Sequence, residues 1–185
     1  MADERKIIRN AKLQELCEHI SLEAHVKRYR FARPYTYGRV LDCACGVGYG
    51  THLISQNPDV RSVVGLDVDE ESIVMAKAEF PGEKIDFVCA DLRAFTDPAG
   101  FDVLVSIETI EHLEEPRDLK ELAVRNRVRK VILSFPAFKS THTNPFHKHD
   151  IKIDAVRTLF SPSYRIAETY EYLKEVWFVA LEAAQ

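Results

Sequence analysis

Short apolar runs rich in β-branched residues alternate with amphipathic stretches from Arg39 onward. A strand covered on both faces is a nearly continuous apolar run, whereas a helix buries one stripe, so the alternation is typical of strand–helix–strand units around a parallel sheet. The runs predict seven strands, at Arg39–Cys43, Ser62–Asp67, Ile85–Cys89, Phe101–Ile107, Lys130–Phe135, Tyr164–Tyr172 and Glu175–Leu181.

Helical spacing of apolar residues predicts the connections between these strands. Two helices are expected before the first strand, and the last two strands, joined by a short connection, are expected to pair as an antiparallel hairpin. The pattern therefore predicts an α/β fold with a doubly wound, mainly parallel sheet. The helices within it are expected at Gly50–Gln56, Glu70–Phe80, Pro116–Arg125 and Ile153–Phe160.

Composition is that of a globular protein. The 185 residues are 46% hydrophobic, and the formal charge is −4, which gives no basic field that would favour nucleic acid. We expect one domain, residues 1–185, with a helical cap at 1–33 and the core at 39–185. No signal-peptide pattern or long apolar run is present, so we expect a cytoplasmic protein without membrane association. The cysteine spacing does not predict structural zinc.

A glycine-rich turn follows the first predicted strand. Gly46, Gly48 and Gly50 lie within five residues, and such a turn lets a backbone approach a ligand closely, although it can also serve packing alone. The spacing is not the G-x-G-x-x-G of dinucleotide sites. Asp42, at the strand end, would repel a pyrophosphate but would suit a cationic amino-acid group. Asp67 ends the second strand, where a carboxylate can accept hydrogen bonds from a ribose diol.

The segment Asp42-x-Ala44-x-Gly46-x-Gly48 resembles the first motif of class I S-adenosylmethionine-dependent methyltransferases, with Ala44 in place of a glycine. The resemblance implies a Rossmann-like fold with strand order 3-2-1-4-5-7-6, methyltransferase activity and S-adenosylmethionine as cofactor. It also implies that Asp91, at the third strand end, accepts a hydrogen bond from the adenine amino group. The candidate cofactor residues are Arg28, Tyr29, Asp42, Ala44, Cys45, Gly46, Gly48, Asp67, Val68, Asp91, Leu92 and Glu108.

The helix before the first strand is similar to that of many relatives. There Arg28 or Tyr29 would reach the carboxylate of the cofactor, an arginine by a bidentate pair. The alternative is that Arg28 is solvated and Tyr29 packs.

An acidic and histidine cluster follows the fourth predicted strand. Helical spacing would place Glu108, Glu111 and His112 on one face. The E-x-x-E-H pattern resembles metal-binding stretches of magnesium-dependent methyltransferases acting on ubiquinone precursors and on small-RNA 3′ ends, and His147 supplies a downstream histidine. These four residues are candidate ligands of a divalent ion such as magnesium. The pattern also occurs in relatives without a metal requirement, where Glu111, His112 and His147 remain candidate catalytic residues and either histidine would be a general base.

The function expected from these features is methyl transfer to oxygen on a small hydroxylated metabolite or sugar, the only partner expected. The oligomeric state stays open. The alternatives are a catalytically silent, cofactor-binding regulatory subunit, an RNA 2′-O-methyltransferase and a nicotinamide-dependent oxidoreductase.

Overall fold

The computed structural model describes the backbone of residues 20–184 and the side chains from residue 24 onward. The helix expected before residue 20 therefore lies outside the described residues. The described residues divide into two compact units, a first unit that ends at residue 91 and a second unit that begins at residue 92.

The described part of the first unit, residues 20–91, contains three strands and three α-helices in alternation, as the sequence pattern predicts. A short 3₁₀ helix, Arg33–Tyr35, precedes the first strand. The elements are α1 Ile20–Ala32, β1 Gly38–Cys43, α2 Tyr49–Ser55, β2 Val60–Asp67, α3 Glu70–Glu79 and β3 Ile85–Cys89.

The second unit contains four strands and two helices. A 3₁₀ turn, Ile110–His112, stands where a helical face including Glu108 was expected. The elements are β4 Val103–Ile107, α4 Arg117–Arg125, β5 Lys130–Pro136, α5 Ile153–Phe160, β6 Tyr164–Tyr172 and β7 Val176–Ala183.

The predicted sheet is confirmed. Its seven strands lie in the order β3-β2-β1-β4-β5-β7-β6. The β1–β2, β2–β3 and β4–β5 pairs are parallel, and β7 runs antiparallel to both β5 and β6. None of the helices among residues 20–184 has both the length and the apolar character that a bilayer crossing needs.

Apolar side chains of the strands form the core of each unit. In the first unit Val40 and Leu41 of β1 are completely buried, and in the second unit Leu104 and Leu133 are completely buried in β4 and β5. Cys43 is a buried free thiol, as expected for a reduced cysteine in a strand, whereas Cys89 is exposed.

Helix α2 packs against α1 through a contact that only glycine permits. A Cβ atom on Gly50 would lie 2.2 Å from Cζ of the Tyr29 ring. That ring also packs edge-on against Tyr49, with centroids 5.7 Å apart. Gly50 therefore determines how closely the tyrosine of α1 approaches the start of α2.

Replacing Gly50 with alanine should destabilise the protein by about 2 kcal/mol, because the ring of Tyr29 must move. This overpacking destabilises the fold by more than the higher helix propensity of alanine stabilises it. Urea denaturation would measure the change. Gly82→Ala is the matched control, since its Cβ would lie 3.3 Å from the flexible end of Ile85. Equal stability of the two variants would contradict the expected role of Gly50.

Candidate functional site

The turn between β1 and α2 has an unusual backbone. Ala44, Gly46 and Gly48 have φ values of 58°, 53° and 87°. Left-handed conformations cost an L-residue about 1 kcal/mol but cost glycine little. Ala44, the position that departs from the family motif, therefore carries strain, while its methyl group points away from the core in an exposed position.

The glycines of this turn serve different purposes. A Cβ on Gly48 would lie 2.7 Å from both Ala76 and the Phe87 ring, so this glycine is needed for packing. A Cβ on Gly46 would meet nothing within 4 Å. The backbone at Gly46 therefore borders open space, which is the property expected where a ligand approaches the turn.

Asp42, at the end of β1, is completely buried. Its Oδ1 accepts a hydrogen bond from the Tyr29 hydroxyl at 3.0 Å, and its Oδ2 accepts one from the Thr51 hydroxyl at 2.6 Å. Tyr29 is itself buried. The carboxylate thus joins α1, β1 and α2 behind the turn, and direct contact of Asp42 or Tyr29 with the cofactor stays a prediction.

Burial changes the acidity of this carboxyl group. Desolvation raises the pKa of Asp42 to about 7, against the hydrogen bonds from Thr51 and Tyr29, which lower it. The negative charge of nearby Asp67 raises it further. Asp42 is therefore close to its titration midpoint at neutral pH.

Asp67, at the end of β2, is half-buried and supports the turn. Its Oδ2 accepts a hydrogen bond from the Gly46 amide at 2.8 Å, and its Oδ1 accepts one from the Asp69 amide at 2.9 Å. Each oxygen keeps a further lone pair, as the predicted ribose contact requires. The two amides would hold the carboxylate in position for that contact.

The other predicted cofactor residues of the first unit differ in exposure. Cys45 is buried, Val68 is 63% exposed, and Arg28 and Asp91 are half-buried. Val68 is an exposed apolar side chain directly after Asp67, and its contact with the cofactor stays a prediction. Leu92, the first residue of the second unit, is half-buried.

In the second unit, Glu108 directly follows β4 and has a φ of 49°. Its Oε1 accepts a hydrogen bond from the Ser134 hydroxyl at 2.8 Å, and its amide donates to the same serine's oxygen at 3.2 Å. This serine on β5 holds Glu108 in a left-handed conformation. The common helical face expected for Glu108, Glu111 and His112 does not form, because the strand leaves through this left-handed residue before a single 3₁₀ turn.

Three of the four predicted metal ligands nevertheless come together. Glu111, His112 and His147 each offer a ligand atom, and these atoms lie within 4.8 Å of one another. The Glu111 side chain is completely buried, and the two imidazole rings meet edge-on with centroids 4.6 Å apart. Glu108 is not part of this group among the described residues. We call Glu111, His112 and His147 the histidine cluster.

Hydrogen bonds orient both rings of the histidine cluster. Nδ1 of His112 lies 3.0 Å from the Phe146 carbonyl oxygen, which can only accept, so Nδ1 is the donor. Nδ1 of His147 lies 2.6 Å from the Ser140 hydroxyl. Each ring is thus oriented through its Nδ1 atom, and Nε2 is its candidate ligand or base atom.

The loop that carries His147 is held against the 3₁₀ turn. The amides of Lys148 and His149 donate to the Glu111 carbonyl oxygen at 2.8 and 3.3 Å. Asp150 accepts hydrogen bonds from the amides of Ser140 and Thr141, and these bonds help to hold the pKa of its carboxyl below the usual value. The downstream histidine therefore occupies a fixed position.

Sequence reasoning did not identify the residues that support the site. Thr51 binds Asp42, Ser140 binds His147, and Asp150 anchors the histidine loop. Serine and aspartate in a polar loop are typical of side-chain-to-backbone hydrogen bonds, which is the one local signal that marks Ser140 and Asp150.

The buried carboxyl of Asp42 should make stability depend on pH. Its folded pKa of about 7 exceeds the ordinary value of 3.8, so the unfolded chain loses this proton first as pH rises. The free energy of unfolding should then fall by up to about 1.4 kcal/mol per pH unit and level off above pH 7.

Asp42→Asn should lack this slope. Its stability relative to the wild type should rise as the pH is raised from about 5 to 8, measured by denaturant unfolding. The exposed Asp86→Asn is the control and should follow the wild type. A wild-type advantage over Asp42→Asn that is independent of pH would rule out the expected titration.

Comparison with known proteins identifies the family of the domain. Residues 40–130 match a family model described as a methyltransferase domain. A probable S-adenosylmethionine-dependent methyltransferase of Mycobacterium tuberculosis is 30% identical over 139 residues, which cover 70% of this chain and 49% of the relative. The chain thus spans about half the length of this curated relative. A ubiquinone biosynthesis O-methyltransferase of Idiomarina loihiensis is 32% identical over 83 residues, or 43% of this chain and 33% of that protein.

Solved structures agree on the fold. Magnesium protoporphyrin IX methyltransferase from Synechocystis, with bound S-adenosylhomocysteine, has a TM-score of 0.77 at 17% identity and covers 98% of this chain and 94% of its own. The glycine turn, the acids that follow β1 and β2, the sheet order and the matched family model all agree. The chain belongs to the class I S-adenosylmethionine-dependent methyltransferases.

Proposed function

We propose that this chain transfers a methyl group from S-adenosylmethionine to a hydroxyl oxygen of a small metabolite. The observation that carries the choice of oxygen is the histidine cluster, Glu111, His112 and His147, with ligand atoms within 4.8 Å of one another. A hydroxyl is a weak nucleophile until it loses its proton, and imidazole is the side chain that accepts protons near neutral pH.

The glycine turn supports the donor side of the reaction. Gly46 borders open space, and Asp67 next to it keeps lone pairs for the ribose hydroxyls. The cofactor residues of the first unit are proposed to hold the donor, with Arg28 a candidate for its carboxylate and Asp91 for its adenine.

The residues of the histidine cluster supply a base for the transfer. As the bond between the acceptor oxygen and the methyl carbon forms, the carbon–sulfur bond breaks and its electron pair neutralises the sulfonium. The proton of the hydroxyl moves to Nε2 of His112 or His147. Because Nδ1 of His112 donates to the Phe146 carbonyl, Nε2 is the proposed proton acceptor of that ring.

The substrate class is proposed from the acceptor chemistry and from the O-methyltransferase among the relatives. That relative's name refers to ubiquinone biosynthesis, and the matched segment covers less than half of this chain. A small hydroxylated metabolite, including a sugar, is therefore the proposed acceptor, and RNA is an alternative for which the charge of −4 offers no support.

Turnover tests the proposal directly. Formation of S-adenosylhomocysteine would be measured with a panel of hydroxylated acceptors, and binding of S-adenosylhomocysteine by calorimetry. His112→Ala and His147→Ala should each lower turnover without changing cofactor affinity. The variant that removes the base should lower turnover by about a hundredfold. His142→Ala, an exposed histidine of the same loop outside the cluster, is the control.

Three results would contradict the proposal in whole or in part. Cofactor binding without turnover on any acceptor would favour the silent subunit, and a thermal shift with a nicotinamide nucleotide but not with S-adenosylhomocysteine would favour an oxidoreductase. Full activity of both histidine variants would exclude the cluster as the base.

The histidine cluster also fits a divalent ion. One buried carboxylate and two imidazoles whose Nδ1 atoms are engaged form a donor set that suits manganese, iron or zinc better than magnesium, which prefers oxygen ligands. Glu111, His112 and His147 would hold the ion, which when bound would acidify an acceptor hydroxyl. Glu108 would not be a ligand of this ion, because it lies outside the group of ligand atoms that come together among the described residues.

Manganese binding should follow this three-residue set. We expect the electron paramagnetic resonance signal of free Mn²⁺ to decrease on addition of the wild type and of Glu108→Gln, but not of Glu111→Gln or His147→Ala. Circular dichroism would establish that each variant is folded. Equal binding by the wild type and Glu111→Gln, or none by the wild type, would exclude the ion site.

A further inference from the structure

A cavity of about 710 Å³ lies within the second unit. Its size is that of a small-molecule site. His147 lines the cavity and also belongs to the histidine cluster, so a molecule in the cavity would contact the cluster through this ring. Ile110, in the same 3₁₀ turn as Glu111 and His112, lines the cavity as well.

The lining has a distinct apolar side. Ile151, Ala155 and Leu159 are four residues apart and line the cavity together, at and just before α5. Ala155 is exposed, and Ile151 and Leu159 are half-buried, so these three side chains keep apolar surface that the core does not cover. Val156 beside them is completely buried and closes the apolar side. An apolar molecular body fits such a surface.

Other residues of the lining are polar, and two of them are cations. Arg117, at the start of α4, and Lys148, next to His147, both line the cavity. Glu115 binds Arg117 weakly, because the pair is 3.7 Å apart and both side chains are more than half exposed, at 62% and 60%. Lys148 instead donates a hydrogen bond to Glu114. A ligand anion can therefore displace Glu115 from Arg117.

Two acidic residues, Asp150 and Glu115, also line the cavity, and they differ in how strongly their charge would repel a bound anion. Asp150 is engaged, since its carboxylate accepts the amides of Ser140 and Thr141 and the Thr141 hydroxyl at 2.9, 3.1 and 3.0 Å. Glu115 is the other acid, and it is exposed. The start of α4 adds the positive end of its helix dipole beside Arg117, where no side chain caps the helix.

We propose that this cavity binds the methyl acceptor, and that the acceptor is a hydroxylated small molecule with an apolar body and a carboxylate. The body lies against Ile151, Ala155 and Leu159, and the carboxylate pairs with Arg117, whose planar guanidinium donates hydrogen bonds to both oxygens. The hydroxyl is directed toward His147. This assignment rests on the proposed methyl transfer for its acceptor role, whereas binding of the ligand class is independent of it.

Two matched probes test the ligand class. The amide spectrum of isotopically labelled full-length protein would be titrated with para-hydroxybenzoate and with its neutral analogue, para-hydroxybenzamide. The carboxylate should bind about tenfold more tightly, and both should shift the amides of Ile151, Ala155 and Leu159. Arg117→Gln should remove the tenfold preference, whereas Arg129→Gln, an exposed arginine outside the lining, should retain it.

A filled cavity provides the second test. Ala155→Trp should abolish binding of both probes, while Thr158→Trp, exposed on the same helix and outside the lining, should preserve it. Affinity for S-adenosylhomocysteine should stay within about twofold in every variant. Three results would overturn the proposal. They are equal affinity of the wild type for the two probes, shifts of amide signals outside the lining, and no binding by the wild type at about 10 mM probe.

The two proposals fail separately. Probe binding without turnover on any acceptor would leave the cavity assigned to this ligand class and reject the methyl transfer. Turnover that Ala155→Trp leaves unchanged would reject the cavity as the acceptor site and leave the methyl transfer intact.

Discussion

The buried carboxylate of Asp42 is the constraint on which the organisation of the first unit depends. A carboxylate is stable inside a protein only where donors surround it, and here the donors come from Tyr29 of α1 and Thr51 of α2. Both helices are therefore placed relative to the end of β1. Gly50 makes the arrangement possible because any side chain there would displace the Tyr29 ring. The glycine turn between β1 and α2 is held in shape by this network.

In the second unit, too, a buried acidic residue lies where hydrogen bonds fix the neighbouring segments. Glu111 is buried in a 3₁₀ turn, and the loop after β5 returns to that turn through hydrogen bonds to the Glu111 carbonyl. Ser140 and Asp150 set the path of this loop. The histidine cluster is consequently organised before any ligand binds, with both imidazoles oriented by neighbours that belong to the loop itself.

Local periodicity predicts the strands and helices well because most of them bury continuous apolar runs or stripes. The predicted bounds of β3, β6 and α5 are those of the structure. The start of β2 is two residues earlier than expected, at Val60, because Val60 pairs with Gly38 in a register that the local pattern does not reveal.

The acids at the strand ends were identifiable because they end apolar runs. Their partners were not, since Thr51 and Ser134 become special only through distant contacts. The shared helical face of Glu108, Glu111 and His112 failed for a similar reason, because Ser134 from another strand stabilises the left-handed backbone at Glu108.

The glycine turn has a consequence for interpreting sequence variation in this chain. Motif glycines are commonly treated as equivalent, yet Gly46 borders open space and Gly50 borders a tyrosine ring. A saturation screen that records both cellular abundance and ligand retention would separate them. Substitutions at position 50 would mainly reduce the amount of protein, whereas substitutions at position 46, beyond the modest cost of its left-handed backbone, would reduce what the remaining protein binds. Variation at two glycines of one turn thus reports on different physical quantities.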